Sequence, residues 1–179
     1  MKFAKVALVI AMGLAGISAA HAEEGNMGQG AGTVTFHGSI IDAPCSISPD
    51  TVDQTVEMGQ IASAQLANQG SSAPVPFQID LENCDITTYQ TAQVTFNGVV
   101  DANDSSNAML GLTGTASGAG IVITDGAADT LPLGTASSAV TLSQGNNTLQ
   151  FAAYLKGDDA SAVVPGEFNS VANFAMSYN

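Results

Sequence analysis

Residues 28–41 read GQGAGTVTFHGSII. The segment opens loose, with Gly28, Gly30 and Gly32, and then alternates. Val34, Phe36 and Ile40 fall on one face with Gly38 between them, while Thr33, Thr35, His37 and Ser39 fall on the other. A period of two residues is the mark of a half-buried β-strand. The question this segment poses is what the strand pairs with. The expected partner is another molecule.

Upstream, Lys2 and Lys5 form a positive head, residues 6–17 are apolar, and Ala20-His21-Ala22 is a small-x-small cleavage pattern. These are the parts of a secretory signal peptide, too short and wrongly flanked to anchor in a membrane. Cleavage after Ala22 is expected, leaving residues 23–179, a length that suits one domain with a sizeable core. No later stretch is long and apolar enough to span a bilayer. Cleavage also sharpens the charge. Lys156 alone then remains against sixteen Asp and Glu, a net charge of about −15. Such a surface cannot neutralise phosphates, which excludes nucleic acid and disfavours anionic membranes as partners. Self-repulsion keeps it soluble.

Downstream, residues 42–47 are expected to continue the strand through Cys45, with Pro44 suiting an edge or bend. A short strand is expected over Thr51–Gln60, and the one helix candidate over Ile61–Asn68. Phe77–Glu82 alternates strictly and leads to Cys84; its Asp80 and Glu82 face outward. Further strands are expected at Ala92–Val99, Met109–Leu112, Gly120–Thr124, Ala127–Gly134 (an edge) and Ala139–Leu142. Gln144–Asn147 reads as a turn and Gly118–Gly120 as another. Leu149, Phe151, Ala153 and Leu155 alternate with polar partners, residues 157–162 form a loop, and Ala172, Phe174, Met176 and Tyr178 share one face of the last strand. Seven or more short strands with almost no helix indicate an all-β sandwich.

Cys45 and Cys84 are the only cysteines. In an exported chain a disulfide is the default, closing a loop of about 40 residues worth about 4 kcal/mol on the chain-entropy estimate. Two free thiols or half a metal site is the rival, but neither cysteine has a close Cys or His. Catalytic readings are weak. After cleavage the only histidine is His37, in the least anchored segment. Asp158-Asp159 sit in a loop with no apolar pocket to split their titration. Asp101-Ala-Asn103-Asp104-Ser105 lacks the glycine and glutamate of a calcium loop, having Ser106 and Leu112 instead. No cofactor is expected, and the chain is not expected to be an enzyme.

Several pieces combine: Gly30-x-Gly32-Thr33-Val34-Thr35-Phe36-x-Gly38, Asp42-Ala43-Pro44-Cys45-Ser46-Ile47, Leu81-Glu82-Asn83-Cys84, Pro165-Gly166-x-Phe168, Val171-Ala172-Asn173-Phe174 and the penultimate Tyr178. Together they resemble the major structural pilins of the chaperone–usher pathway of Gram-negative bacteria, the P-type and mannose-resistant fimbrial shaft subunits in particular. The resemblance spans the chain after the signal peptide. It implies an incomplete immunoglobulin-like sandwich that lacks its final strand. A groove is left between the first and last strands, filled first by a periplasmic chaperone and then by the N-terminal extension of the next subunit. This is β-augmentation, in which backbone bonds give affinity and alternate side chains fill pockets.

Carried over by position, the organisation is a signal peptide at 1–22, a donor-strand extension at 23–38 and a pilin domain at 39–179. The donor residues are Gly30, Gly32, Val34, Phe36, Gly38 and Ile40, with Gly38 allowing close approach to a shallow part of the groove and permitting strand exchange. The acceptor residues are Gly166, Phe174, Met176 and Tyr178, with the carboxylate of Asn179 gripped by the chaperone. Gly166 could also be an ordinary turn residue after Pro165. The implied partners are identical subunits head to tail, a periplasmic chaperone, an outer-membrane usher and tip or minor pilins. The implied location is an extracellular fimbrium reached through the periplasm. A minor or adaptor pilin is the alternative within this class. A secreted sugar-binding sandwich is the alternative outside it, weakened by the absence of tryptophan and of room for a receptor domain.

Overall fold

The computed structural model describes residues 32–158 and 162–179; the expected signal peptide, Gly28, Gly30 and part of the 157–162 loop lie outside them. The chain divides into two units, Met1–Ile40 and Ile41–Asn179. Within the first, residues 32–40 have no regular secondary structure, and their large apolar side chains are exposed.

The second unit is a two-layer β-sandwich. In chain order its elements are β1 (Ser46–Ile47), α1 (Pro49–Val52), α2 (Ser63–Leu66) with a 3₁₀ turn at Ala67–Gln69, β2 (Val75–Cys84), β3 (Thr91–Gly98), β4 (Met109–Leu110), β5 (Thr113–Gly114), β6 (Ala119–Asp125), β7 (Val140–Thr141), β8 (Gly145–Gly157), β9 (Phe168–Asn169) and β10 (Ala172–Tyr178). One sheet runs β1-β2-β8-β6-β4; the other runs β10-β3-β7; β5 and β9 form a separate ribbon. All named pairings are antiparallel. This is the immunoglobulin-like, strand-deficient class expected from the sequence.

The alternation read in the sequence places the core. On β8, Leu149, Phe151, Ala153 and Leu155 are buried, as are Ile79 and Leu81 on β2 and Val94 and Phe96 on β3. Between the sheets, Phe96 meets Phe151 edge to face at 5.1 Å, and within the larger sheet Phe77 stacks on its cross-strand partner Phe151 at 5.5 Å; such pairs add about 0.5–1.5 kcal/mol beyond area burial. The Cys45–Cys84 disulfide is formed and lies within this core, with its Cα atoms 4.1 Å apart. It ties the chain ahead of β1 to the end of β2.

Several expected strands and turns differ from the structure. Residues 33–41 alternate like a strand but have no ladder partner in the described chain, and 42–47 is a strand only at Ser46–Ile47. Thr51–Gln60 is not a strand. Pro49 opens the single turn α1, and side chains hold this segment to the β2 edge. Gln54 Nε2 donates to Gln78 O at 2.9 Å, and the Asp80 N–H donates to buried Thr51 Oγ1 at 3.1 Å. Ala127–Gly134 is a loop with one isolated bridge, Thr124 to Thr130. Asp125 Oδ1 accepts the N–H groups of Ala127 and Asp129, closing a tight turn that brings Leu131 into the core. Of the turn expected at Gln144–Asn147 only Gln144 lies outside β8, and Ala119 and Gly120 belong to β6 rather than to a turn. The helix expected at Ile61–Asn68 shrinks to the single turn α2, because Ala67 is extended and Asn68 has a positive φ of 54°.

Candidate functional site

β10 pairs with β3 along one side only, and β1 is the opposite outer edge of the larger sheet. A groove of about 950 Å³ runs along the start of β10. One wall is residues 52–61, the other residues 163–174. Its floor is apolar and includes Phe77, Phe96, Leu110, Ile123 and Leu155. An open edge beside an apolar floor is a surface that monomeric proteins ordinarily cover.

The floor joins two packed clusters. At one end Phe174 leans over Phe96, with ring centroids 6.3 Å apart. At the other end Leu66, Ala119 and Leu155 are buried, with Met58, Ile61, Leu112, Val163 and Phe168 half-covered above them. None of these last five is among the expected groove residues, although Phe168 belongs to the Pro165-Gly166-x-Phe168 motif. Their spacing in the chain has no common period, because they come from loops and two-residue strands.

The 163–170 wall is fastened on its far side. β5 pairs with β9, the N–H groups of Thr115 and Ala116 donate to Glu167 O, and Ser117 and Val164 exchange backbone bonds. Gly166 stands at this seam. A β-carbon built there would lie 2.5 Å from Thr115 Oγ1 and 2.6 Å from Ala116 N. Gly166 is therefore required by close backbone approach, and it lines the groove. The ordinary-turn reading does not account for this contact.

Of the other expected acceptor residues, Phe174 lines the groove, whereas Met176 and Tyr178 are half-buried against the main core beside it. The end of β10 is pinned to β3. The Gln90 and Thr91 N–H groups donate to the Asn179 backbone oxygen at 2.8 and 2.9 Å, and Asn179 N donates to Thr91 O at 3.0 Å. Burial pushes the Tyr178 phenol above its ordinary value of 10.0. A raised folded value means the fold favours the protonated form. That stability is fully present below the unfolded value and is lost as pH rises through the folded one. Denaturation midpoints should therefore fall above pH 10 in the wild type. Tyr178→Phe should remove part of that fall, as read by urea titration at pH 9 and 11.

The expected donor residues among those described are exposed. Val34 is 74% and Phe36 88% exposed, and Ile40 is wholly exposed. A β-carbon built at Gly32 or Gly38 meets nothing within 4 Å, so nothing in the described chain requires glycine at either position. Gly30 lies outside the described residues. The groove rim carries exposed Asp53, Glu57 and Glu167, and residues 28–41 contain no acidic group.

Among the described residues no group of three His, Cys, Asp or Glu is placed to hold a metal ion, and no helix is long and apolar enough to cross a membrane. The Asp101–Ser106 loop is closed on itself. Asp104 accepts from Ser106 N and Oγ, Ala108 N and Met109 N. Slight desolvation alone would raise its pKa, but these donors together hold the carboxyl below the usual 3.8.

Comparison with known proteins places this arrangement. Residues 34–179 match the family model described as fimbrial protein. The chain is 52% identical over 179 residues to the fimbria A protein of Serratia marcescens, covering 99% of each chain. It is 48% identical over 180 residues to the major MR/P fimbria protein of Proteus mirabilis strain HI4320, again covering 99% of each. A solved chaperone–usher pilus, described for what it reveals of rod uncoiling, superposes with a TM-score of 0.77 at 34% identity, covering 86% of this chain and 98% of that one. The chain therefore belongs to the fimbrial protein family, a family of structural fimbrial subunits.

Proposed function

We propose that this chain is the repeating subunit of an extracellular fimbrial rod, polymerised head to tail by donor-strand exchange. The observation that carries the reading is the presence, in one chain, of an open apolar groove and of an exposed, alternating, glycine-spaced segment. Residues 23–38 serve as the donor extension and 39–179 as the acceptor domain. Val34, Phe36 and Ile40 fill pockets over the groove floor, and Gly32 and Gly38 let the backbone approach where the groove is shallow. Burial of the three large side chains contributes roughly 5–9 kcal/mol at about 1.5–3 kcal/mol each, before the cost of ordering the tail. A donor seated in a neighbour's groove makes a heterologous contact that does not close, and such contacts give filaments.

Export implies passage through the periplasm of a Gram-negative cell, where the bare groove needs cover. A periplasmic chaperone supplies that cover, and an outer-membrane usher the exit. Tip or minor pilins and an adhesin complete the organelle, whose use is attachment. The chemistry asked of the chain is packing and strand pairing; no residue is assigned a catalytic role. The role is tested by negative-stain microscopy of cells with and without the gene. Loss of all filaments is the expected result. Filaments of normal abundance but altered tips would instead assign the chain as a minor or adaptor subunit.

A further inference from the structure

Met1 and Met12 lie in the expected signal segment, so Met27, Met58, Met109 and Met176 are the methionines left after cleavage. The chain has no tryptophan, and its two cysteines are already joined in the disulfide. Thioether sulfur is then the sulfur left for a two-electron oxidant to attack. The three described methionines sit in different surroundings. Met109 on β4 is buried. Met176 is half-buried against the main core, on a strand paired with β3 along its length, and it does not line the groove. Met58 is also half-buried, but it lines the groove, where it packs on Leu66, Ala119 and Leu155.

The backbone around Met58 is the least tied part of the groove. Residues 55–61 make no hydrogen bond with any described residue. Before them, the Gln54 side chain donates to Thr51 O and Gln78 O; after them, the next bond runs from Gln65 N to Ala62 O. Gly59, next in the chain after Met58, stands in open space, since a β-carbon built there meets nothing within 4 Å. A segment held by side-chain packing alone opens at lower cost than a strand in a ladder. Met58 is therefore the described methionine that combines partial exposure with a loosely held backbone.

We propose that Met58 is an oxidative modification site within the acceptor groove, open to peroxide-class oxidants in the free subunit and shielded once a donor strand is seated. In the step, the Met58 sulfur forms an S–O bond as the O–O bond of the peroxide breaks. The sulfur loses two electrons, the peroxide gains them, and water leaves. The product is a sulfoxide, polar where the thioether was apolar and adaptable. Its oxygen then stands in an apolar groove, and seating a donor over it removes that oxygen from water. Oxidation before assembly thus takes a subunit out of the polymerising pool, while a subunit already in a filament keeps its thioether. The inference rests on the rod reading and adds a chemical control to it.

The first test needs no variant. Monomeric mature subunit, and filaments grown from it, are exposed to the same dose of hydrogen peroxide and digested for peptide mass spectrometry. In the monomer, Met58 should gain one oxygen several-fold faster than Met109. In filaments, the rate at Met58 should fall at least about fivefold. Equal rates at Met58 in the two states, or a rate in the monomer no faster than that of Met109, would overturn the proposal.

The second test reads the growth rate of filaments from peroxide-treated subunit, divided by the untreated rate of the same chain. For the wild type this ratio should fall about tenfold. For Met58→Leu it should stay near one, whatever the untreated rate of that variant. Met58→Gln, which places a polar group there without oxidant, should polymerise slowly and show no further loss on treatment. A treated Met58→Leu chain that slows as much as the wild type would assign the effect to another methionine and refute the site. A Met58→Gln chain that polymerises at the wild-type rate would refute the consequence drawn for the sulfoxide. Failure of untreated wild-type subunit to polymerise through its donor segment would refute the rod reading instead, so the two failures are told apart.

Discussion

Deletion of residues 23–38 should abolish filament formation, while the remaining domain should still bind a synthetic peptide spanning residues 28–41. Both outcomes follow from where the apolar surface lies. The groove, with Phe77 and Phe96 in its floor and Phe174 in its wall, belongs wholly to residues 41–179, so the acceptor survives the deletion. The exposed Val34 and Phe36 are removed by it, so the donor does not. Bound at 100 times its dissociation constant, the peptide adds about 2.7 kcal/mol of stability, which for a domain of this size is a rise of roughly 5–10 °C in melting temperature. A peptide with Phe36→Asp should give no rise, because it places a charge against an apolar floor. Filaments formed by the truncated chain at wild-type yield would show that assembly uses some other contact.

Cys45→Ala with Cys84→Ala, or reduction of the wild type, lowers unfolding stability by about 4 kcal/mol. Typical domains have about 5–15 kcal/mol in total, so periplasmic yield falls sharply. The bond has a local consequence as well. β1 is only two residues long, and the groove wall at 52–61 comes soon after it in the chain. With the disulfide cut, this wall is held mainly by α1 and by the bonds of Ser48, Thr51 and Gln54 to the β2 edge. Donor-peptide affinity should therefore drop along with global stability. Cys45→Ser adds a buried hydroxyl and costs more than alanine. Equilibrium denaturation and peptide titration, each with and without reductant, check both effects. An unchanged denaturation midpoint would remove the stabilising role of the bond.

The strands that carry the core were legible because they are long and alternate cleanly. Phe77–Glu82, Ala92–Val99 and Leu149–Leu155 each bury one face between two sheets, and a period of two then appears in the residues themselves. The short elements were not legible. β4, β5, β7 and β9 are two residues each, too short to show a period. Residues 51–60 and 127–134 carry apolar residues at strand-like spacing, yet tight loop chemistry at Pro49 and Asp125 captures them first. The groove was legible at Phe174, where a true strand lines it, and at Gly166 through the resemblance. Its other end is assembled from Met58, Ile61, Leu112, Val163 and Phe168, residues with no common pattern in the chain.

By itself the sequence determined the class of the fold, the cysteine pair, the scarcity of positive charge and the strand-like pattern of residues 33–40, because each is a property of composition or of local period. Only the tertiary structure showed that residues 33–40 have no ladder partner among the described residues. A strand is defined by its partner, and whether the domain leaves an edge open depends on how its two sheets meet. The structure also decided the reason for Gly166: the steric demand comes from Thr115 and Ala116, some fifty residues away in the chain. It separated Leu155 from Lys156 as well, neighbours in sequence that face an apolar groove and a polar recess on opposite sides of one sheet.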